Sequence, residues 1–467
     1  MRDGISNGGH RFDPSILREY DVRGVVGETL TLADAEALGR AFGTIVVYEG
    51  GTRVALGYDG RLSSPELAEA VAAGLQDSGV DVAWIGRGPT PMLYFAVHEL
   101  DADGGIQVTG SHNPPTYNGF KMVLGKAAFF GRDIARLGEI AAAGGWAGGH
   151  AKLTRHDVRA AYVDRILRDV TARAPRNIVW DPGHGAVGEV LAGVTAGLPG
   201  THTLINADVD GTFPAHHPDP TVPENLAQLQ AAVRDTSADL GIAFDGDGDR
   251  IGVVDGQGRV LWGDQILALL AEPVLAANPG ATIIADVKAS QLLFDRIAEL
   301  GGEPVMWKTG HSLIKSKMVE TGAPLAGEMS AHLFFADTWY GFDDALYAAV
   351  RVLNALEERG ETLDAFRDGL PELVNTPEIR FPCDGDRKFD VIDEVKSRLE
   401  SRGDEVVAID GVRVNTSDGW WLLRASNTQD VLVARCEARD TAGLDRLKSL
   451  LRDQLDASAV PIPAAFG

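Results

Sequence analysis

The sequence predicts an α/β fold: three related α/β domains with mainly parallel mixed sheets, followed by a C-terminal α+β domain. The chain has 467 residues, more than a single hydrophobic core organises. A strand–turn–helix–glycine–strand pattern with nearly all-apolar strands occurs three times. The C-terminal part of the chain lacks this pattern. Strands and helices that alternate in this way form parallel sheets with helices on both faces.

The first copy of the pattern, VALGYDGRLSSPELAEAVAAGLQDSGVDVAWIG, starts at Val54. Ser64 is a good N-cap residue and Pro65 suits the first helical position, so we expect a helix to begin there. Gly79 can end it. Its apolar residues recur at four-residue intervals and form one stripe: Leu67, Val71 and Leu75.

The second and third copies have the same order of elements. They are NIVWDPGHGAVGEVLAGVTAGLPGTHTLIN, from Asn177, and TIIADVKASQLLFDRIAELGGEPVMWKTG, from Thr282. Three copies predict three α/β domains of similar topology, which we place at residues 1–157, 158–260 and 261–371.

The C-terminal domain, residues 372–467, has a different pattern. A helix is predicted with Val391, Val395 and Leu399 on one face. Strands follow around VVAID, VRVNT–GWWLLRAS and DVLVARCEA. A last helix has a leucine stripe: Leu444, Leu447, Leu451 and Leu455. This order predicts an α+β domain with an antiparallel sheet.

The composition limits the classes of function. The net charge of −24 argues against a nucleic-acid-binding or anionic-membrane-binding surface, so any anionic substrate needs a locally basic pocket. Cys383 and Cys436 show no metal-site spacing, which fits a reducing compartment. Because the chain has no apolar leader and no run of about 18 apolar residues, we expect a soluble cytoplasmic protein.

Four unusual segments each follow an apolar run, and ligands bind at the carboxyl ends of strands in open α/β sheets. The first segment is GIQVTGSHNPPTYNGFK, residues 105–121. Its Ser111 is expected to be exposed and rigidly aimed just past a strand, with His112 adjacent and Lys121 able to fold back over the turn. The alternative is a turn whose serine hydroxyl only bonds backbone. The GxSxG elbow of hydrolases is absent, because Asn113 replaces its second glycine.

The second segment, LGIAFDGDGDRIGVVD, predicts a metal site. Asp245, Asp247 and Asp249 alternate with glycines, so their carboxylates converge on one side of an extended loop. Hard oxygen ligands select magnesium or calcium, and Arg250 is placed to pair with a phosphate. A solvated acidic turn is the alternative. An EF-hand would need a glutamate where Gly256 stands.

The third segment combines PVMWKTGHSLIKSKM with PLAGEMSAH. His311 follows a strand, and Glu328, Ser330 and His332 share a loop. A carboxylate beside a hydroxyl suits paired sugar hydroxyls. Two penicillin-binding motifs also match here, but they overlap in the wrong order and lack the S-D-N motif between them, so we reject that interpretation.

The fourth segment, LLRASNTQDVLV, predicts an anion-binding turn. Arg424, Ser426, Asn427 and Thr428 follow a strand and supply a guanidinium, two hydroxyls and an amide. The alternative is an ordinary polar turn between two strands.

In this order, the four segments resemble the α-D-phosphohexomutase family, and most closely its bacterial phosphomannomutase/phosphoglucomutase members. TGSHNP resembles the family's phosphoserine loop, DGDGDR its metal loop, GEMSAH its sugar loop and RASNT its phosphate loop. The resemblance extends from FDPSILREYDVRG to RASNTQD, nearly the whole chain. It implies four domains around a central cleft, in agreement with the domains predicted above.

The resemblance also implies a role for each residue. Ser111 carries a phosphate and, with Asp245, Asp247 and Asp249, binds Mg²⁺. Catalytic roles fall on the serine loop and on cleft residues: Ser111, His112, Lys121, Arg23, His311 and His332. The residues expected to bind substrate are Tyr20, Arg250, Lys288, Glu328, Ser330, Arg424, Ser426, Asn427 and Thr428.

The implied reaction interconverts hexose 1-phosphate and hexose 6-phosphate through phospho-Ser111, with glucose 1,6-bisphosphate as activator and intermediate. Lys121, His311 and His332 are candidate proton acceptors, and Lys121 ranks first because it is linked to the Ser111 turn. A phosphoglucosamine mutase, a sugar-phosphate phosphatase and a calcium- or sugar-binding protein are the alternatives. The partners expected are small hexose phosphates, and we expect a monomer or weak dimer.

Overall fold

The computed structural model describes residues 8–427 and 429–466, so the predicted substrate residue Thr428 lies outside the described residues. The described chain contains four sheets. Three of them are mixed and covered by helices, and the last is antiparallel. The predicted fold class is therefore confirmed.

The first sheet has the strand order β1-β5-β4-β2-β3-β7, with β6 paired to β5. Its strands are β1 (Val22–Val25), β2 (Arg53–Tyr58), β3 (Asp81–Arg87), β4 (Gly104–Val108), β5 (Tyr117–Leu124), β6 (Ala127–Ala128) and β7 (Leu153–Arg155). The helices around it are α1 (Leu32–Tyr48), α2 (Ser64–Asp77), α3 (Thr90–Glu99) and α4 (Arg132–Ala143). A 3-10 helix, Pro14–Ile16, precedes β1.

The second sheet has the order β12-β11-β10-β8-β9. Its strands are β8 (Arg176–Asp181), β9 (Gly200–Leu204), β10 (Leu240–Phe244), β11 (Ile251–Asp255) and β12 (Val260–Leu261). The helices are α5 (Arg159–Leu167), α6 (Gly188–Ala196) and α7 (Ala227–Thr236), and a 3-10 helix, Pro223–Leu226, precedes α7.

The third sheet has the order β14-β13-β15-β16. Its strands are β13 (Thr282–Asp286), β14 (Glu303–Trp307), β15 (Leu325–Gly327) and β16 (Leu333–Phe335). The helices are α8 (Gly263–Ala277), α9 (Gln291–Glu299), α10 (His311–Thr321), α11 (Ala345–Arg359) and α12 (Leu363–Asp368).

The C-terminal sheet has the order β17-β22-β21-β20-β19, with β18 also paired to β22. Its strands are β17 (Val374–Asn375), β18 (Ile379–Pro382), β19 (Val406–Val407), β20 (Val412–Asn415), β21 (Gly419–Ala425) and β22 (Val431–Ala438). The helices are α13 (Arg387–Arg402) and α14 (Thr441–Ala457), followed by a 3-10 helix, Ala464–Phe466. The sequence analysis did not predict the strands β17 and β18, which are short and partly exposed.

The first three sheets share one topology. In each sheet, one strand is flanked by the next two strands of the chain and pairs with both in parallel. The fourth strand then pairs with the third in the antiparallel direction. The corresponding sets are β2-β3-β4-β5, β8-β9-β10-β11 and β13-β14-β15-β16. Each antiparallel pair is joined by a short connection, and these three connections therefore occupy the same place in their domains.

The predicted start of helix α2 was wrong by one residue. Ser63 is the N-cap residue and Ser64 is the first helical residue, which puts Pro65 second. The Ser64 hydroxyl does not cap the helix because it donates to Asp59 Oδ1, 2.5 Å away.

The apolar interior is shared between domains. The largest cluster of buried apolar residues runs through the first three domains and includes α3, α8 and α11. The rest of the first domain and the C-terminal domain have their own clusters. Across residues 8–427 and 429–466, none of the helices has the length and apolar character that a bilayer crossing requires.

Candidate active site

The predicted site segments all lie at strand ends. The Ser111 loop joins β4 to β5, the aspartate loop joins β10 to β11, and the Glu328 loop joins β15 to β16. These are the three equivalent connections of the three α/β domains. The segment from Ser426 joins β21 to β22 of the C-terminal sheet.

The four segments surround one cleft with a volume of about 820 Å³. Eight lysine and arginine residues but only four acidic residues are among its described lining residues, so the predicted basic pocket exists in an acidic protein. The predicted site residues that line it are Tyr20, Arg23, Ser111, His112, Lys121, Arg250, Lys288, His311, Glu328, Ser330, His332, Arg424, Ser426 and Asn427.

Ser111 lies deeper than predicted. We expected an exposed side chain, but Ser111 is only 2% exposed because the aspartate loop covers it. Its Oγ donates to Asp245 Oδ2 at 2.9 Å and lies 3.1 Å from His112 Nδ1. Its backbone φ is +49°, a left-handed conformation that is unusual for a residue other than glycine. The hydroxyl is therefore aimed at the aspartates by a constrained loop.

The three aspartates converge as predicted. Asp245, Asp247 and Asp249 are fully buried, and one oxygen from each lies within 4.8 Å of the others. Asp245 Oδ1 accepts the backbone N–H groups of Gly248, Asp249 and Arg250 at 2.9 to 3.2 Å. Burial, together with the other two aspartates, raises the pKa of Asp245 well above its usual value.

This cluster fits a divalent cation. Within the described chain, Asp247 Oδ1 and Asp249 Oδ1 are buried without a hydrogen-bond partner, a costly state for a carboxylate oxygen. Hard oxygen donors beside a serine hydroxyl form a donor set that magnesium accepts.

Lys121 contacts the aspartates rather than the serine turn. Its Nζ donates to Asp247 Oδ2 at 2.8 Å and also to Asp249. Burial disfavours the ammonium, but the two carboxylates outweigh it and raise the pKa of Lys121 well above its usual value. In this arrangement Lys121 is a cation without a free proton-accepting site.

Two histidines stack beside the aspartate loop. The rings of His311 and His332 lie 5.5 Å apart, and Arg250 Nε donates to His332 Nε2 at 3.0 Å. Asp343, a residue that the sequence analysis missed, is buried behind them. Its Oδ2 lies 3.0 Å from His332 Nδ1 and its Oδ1 accepts from Lys315 at 2.9 Å. Burial lowers the pKa of His311 well below its usual value, so that ring is neutral at neutral pH.

Two carboxylates, Glu328 and Asp286, fix the Glu328 loop through hydrogen bonds. Glu328 accepts the Gly310 backbone N–H on one oxygen and the Ser330 hydroxyl on the other, at 3.0 Å. Asp286, at the end of β13, accepts the Met329 N–H at 3.1 Å and the Thr309 hydroxyl at 3.0 Å. Burial raises the pKa of Asp286 to about 6.

The fourth segment contacts the first domain directly and the third domain through Tyr20. Asn427 donates to the Tyr20 hydroxyl at 2.9 Å, and that hydroxyl donates to the Thr309 carbonyl at 3.0 Å. Arg424 donates to Asp410 at 3.0 and 3.3 Å. Tyr20 therefore joins three domains across the mouth of the cleft.

Arg23 lies at the edge of the serine loop. It donates to the Asn113 side chain at 2.9 Å and also to Asp21. His112, the neighbour of Ser111, is half-buried among cations, and desolvation followed by the charge of Arg250 lowers its pKa well below the usual value.

The sequence analysis also missed a buried support of the serine loop. Arg61 is 1% exposed and donates to four backbone carbonyls of the loop at 2.5 to 3.0 Å: those of Ser111, Asn113, Pro114 and Tyr117. Asp59 accepts the Gly110 N–H at 3.1 Å and the Thr109 hydroxyl at 2.9 Å. A Cβ on Gly110 would lie 2.5 Å from the guanidinium carbon, so only glycine fits there. The signal available was the DGR sequence at the carboxyl end of β2.

Models of four protein domains match the chain in order. The alpha/beta/alpha domains I, II and III of phosphoglucomutase/phosphomannomutase match residues 14–143, 160–258 and 262–374. The C-terminal domain of phosphoglucomutase/phosphomannomutase matches residues 378–454.

Relatives match the chain over nearly its full length. The phosphomannomutase/phosphoglucomutase of Pseudomonas aeruginosa is 44% identical over 451 residues, 96% of this chain and 97% of the relative. A phosphoglucomutase of Neisseria gonorrhoeae is 44% identical over 95% of this chain and 97% of its own. The crystal structure of a phosphoglucomutase/phosphomannomutase family protein from Burkholderia thailandensis superposes with a TM-score of 0.91 at 45% identity, covering 96% of this chain and 98% of that one. The chain thus belongs to the phosphoglucomutase/phosphomannomutase family, the α-D-phosphohexomutases.

Proposed function

We propose that the chain is a phosphomannomutase/phosphoglucomutase, an isomerase that interconverts hexose 1-phosphate and hexose 6-phosphate through phospho-Ser111. One observation carries this proposal: Ser111, whose Oγ donates to Asp245 Oδ2 at 2.9 Å, lines the same cleft of about 820 Å³ as Arg424. A candidate phosphate carrier and a candidate anion-binding loop therefore border one cavity.

The proposed reaction consists of two phosphoryl transfers. In the first, the bond between phosphorus and Ser111 Oγ breaks, and a bond forms to the free hydroxyl of a hexose monophosphate. The proton of that hydroxyl passes to a base, and the Ser111 oxygen is left as an alkoxide that takes up a proton. The resulting hexose 1,6-bisphosphate turns end for end, and Ser111 takes the other phosphate by the reverse of these steps. Glucose 1,6-bisphosphate would therefore both form as an intermediate and activate an unphosphorylated enzyme.

Asp245, Asp247 and Asp249 would hold Mg²⁺ together with the serine phosphate. The chemistry that such a cation supplies is neutralisation of the charge that gathers around a transferring phosphoryl group. Lys121 and Arg250 add positive charge from the protein itself; Lys121 is buried and Arg250 half-buried, so that charge is only partly screened.

The proton of the attacking hydroxyl needs a neutral acceptor. Lys121 was ranked first from sequence, but its contacts to Asp247 and Asp249 keep it protonated and favour a purely electrostatic role. His311 and His332 are the remaining candidates, and His311 is favoured because His332 Nε2 already accepts from Arg250 Nε. Asp343 behind them would stabilise the imidazolium that forms.

The sugar loop supports acceptance of both glucose and mannose phosphates. We propose that Glu328 and Ser330 bind two hydroxyls that the two sugars share. The two sugars differ at carbon 2, and Met329 offers no strong polar group to distinguish them. Arg424, Ser426, Asn427 and Thr428 would bind the phosphate that is not being transferred, whichever sugar carbon bears it.

We also propose a cytoplasmic location and a monomeric or weakly dimeric state. The buried free thiols of Cys383 and Cys436 suit a reducing compartment.

Intact-mass spectrometry tests the central step. Purified protein incubated with glucose 1,6-bisphosphate should gain one phosphate that maps to the peptide of residues 105–121. Ser111→Ala should neither gain it nor turn over glucose 1-phosphate. Ser401→Ala, which removes an exposed helical hydroxyl that donates to the Ser397 carbonyl, is the matched control and should behave as the parent protein.

The same preparations separate the alternatives. A phosphatase would release inorganic phosphate from glucose 1-phosphate, whereas a mutase keeps the ester. A calcium- or sugar-binding protein would bind without turnover, and Ser111→Ala would retain its affinity. Turnover by Ser111→Ala at a near-normal rate would refute the proposal, and a strong preference for glucosamine phosphate would move the enzyme to that class of mutase.

A further inference from the structure

A carboxylate lies among the cations at the phosphate-binding end of the cleft. Glu378 Oε2 is 3.2 Å from Lys288 Nζ, and its Oε1 accepts from Arg380 at 2.8 Å and lies 2.6 Å from a second guanidine nitrogen of that residue. Glu378 lines the cleft together with Lys288, Arg380 and Arg424. A negative charge at this place is unexpected, because the surrounding groups are those that a phosphate would use.

Glu378 differs from Asp410, another carboxylate of this region, and it lies closer to Lys288 than Asp286 does, whose Oδ2 is 3.6 Å from Lys288 Nζ. Asp410 also pairs with a cation, Arg424, but it additionally accepts the Thr309 backbone N–H at 3.0 Å and is not among the cleft-lining residues. Asp410 thus orients Arg424 from behind. Glu378, whose side chain is 18% exposed, faces the space that a ligand enters.

The charge of Glu378 is present at neutral pH. Burial disfavours it, but Lys288 and Arg380 outweigh burial and lower the pKa of Glu378 to about 2. A phosphate that reaches Lys288 must therefore share it with a carboxylate or displace that carboxylate. Either event lowers the affinity of the cleft for phosphate below what its cations alone would give.

A lower affinity of the cleft for phosphate would assist the proposed reaction. This inference therefore rests on the proposed function. Between the two transfers, the phosphate held by the Arg424 loop must leave it so that the other phosphate can take its place. A loop that held phosphate too tightly would trap the bisphosphate in one orientation.

We propose that Glu378 is a built-in counter-ion that competes with phosphate for Lys288 and Arg380 and thereby lets the bisphosphate leave the loop and turn. Glu378 is accordingly a residue that sets affinity and turnover and does not take part in bond making. It acts on whichever phosphate occupies the loop, and so on both sugars alike.

The test compares Glu378→Gln with the parent enzyme, using inorganic phosphate and glucose 1-phosphate as probes. Glu378→Gln keeps the size of the side chain and removes its charge. Removing one neighbouring unit charge should lower the competitive inhibition constant of phosphate and the KM for glucose 1-phosphate by about five- to tenfold. The kcat should fall and less free bisphosphate should appear during turnover, because release becomes slower.

Glu400→Gln is the matched control, since it removes one carboxylate from the exposed face of α13 in the same domain. Its two constants should stay within about twofold of the parent values, as expected for an exposed charge. Should Glu378→Gln fold poorly, Glu378→Ala removes the same charge without adding an amide and carries the same expectation.

Two outcomes would overturn the inference. Unchanged or weaker phosphate inhibition in both Glu378 variants would mean that Glu378 only positions Lys288 and Arg380. Tighter inhibition with an unchanged or higher kcat would mean that phosphate release does not limit turnover. Both outcomes leave the proposed function standing as long as the parent enzyme converts glucose 1-phosphate to glucose 6-phosphate; absence of that conversion would instead reject the proposed function.

Discussion

Arg61→Lys tests whether the serine loop must be held by one guanidinium. Arg61 donates to the carbonyls of Ser111, Asn113, Pro114 and Tyr117, and its two terminal nitrogens each serve two of them. A lysine ammonium has three donors on a single nitrogen, so at least one of the four carbonyls loses its bond from residue 61.

The magnitude follows from these contacts. The Ser111 carbonyl lies in a buried bond to Arg61, whereas the other three bonds are partly buried. Leaving a buried carbonyl without a partner costs about 1–3 kcal/mol, so the free energy of unfolding should fall by up to that amount. The loop would relax around Ser111, whose φ of +49° is maintained by its surroundings. A displacement of the Ser111 hydroxyl by about 1 Å costs about a hundredfold in rate. The KM should change little, because Arg61 does not line the cleft.

The assay is steady-state kinetics with glucose 1-phosphate, combined with thermal unfolding and intact-mass measurement of the phosphoserine. Arg53→Lys is the matched control, since Arg53 is an exposed arginine of the same domain that donates to one carbonyl, that of Leu100, at 3.1 Å. The reasoning is refuted if Arg61→Lys keeps a kcat within about threefold of the parent value while its stability is also unchanged.

Three further predictions concern the metal loop, the phosphate loop and a buried carboxyl. Asp247→Asn should weaken the dependence of the rate on Mg²⁺ and lower the rate by orders of magnitude; an unchanged magnesium titration would contradict the metal assignment. Arg424→Ala should raise the KM for glucose 1-phosphate and mannose 1-phosphate alike, and a change for one sugar only would count against a phosphate contact. Burial raises the pKa of Asp344 to about 7, so the folded state retains a proton that the unfolded state releases near pH 4. Stability is therefore lost as pH rises from about 4 to 7, by up to roughly 4 kcal/mol. Asp344→Asn, which can still accept the Tyr347 N–H, should show a smaller loss across this range in denaturant unfolding, and an identical pH dependence would refute the assignment.

The equivalent positions of three site loops explain how distant segments form one cleft. In each α/β domain, the connection after the third parallel strand carries the functional residues: Ser111, then the aspartates, then Glu328. One topology used three times places each of these connections at a sheet edge that faces the centre. The three loops therefore occupy the same position in their domains. They differ in chemistry: one carries a serine, one a carboxylate cluster and one the pair Glu328 and Ser330.

Sequence by itself determined the fold class, the order of the elements and the loops that carry chemistry. Periodicity defined α2, α13 and α14, because a helix that packs on a sheet needs one apolar stripe. The alternation of aspartates with glycines predicted a converging carboxylate cluster, since that outcome depends only on local backbone geometry.

Only the tertiary structure decided which groups the site residues contact. The partners of Lys121 lie 126 and 128 residues away, and this contact changed its expected role from proton acceptor to fixed cation. Asp343 and Glu378 have no local pattern of their own, and the DGR sequence at Arg61 does not name its partners; all three act through contacts with residues from other elements. Ser111 was expected at the surface because its own loop suggested exposure, and a second domain covers it. Such contacts depend on how the domains pack against each other, and the sequence near each residue does not predict that packing.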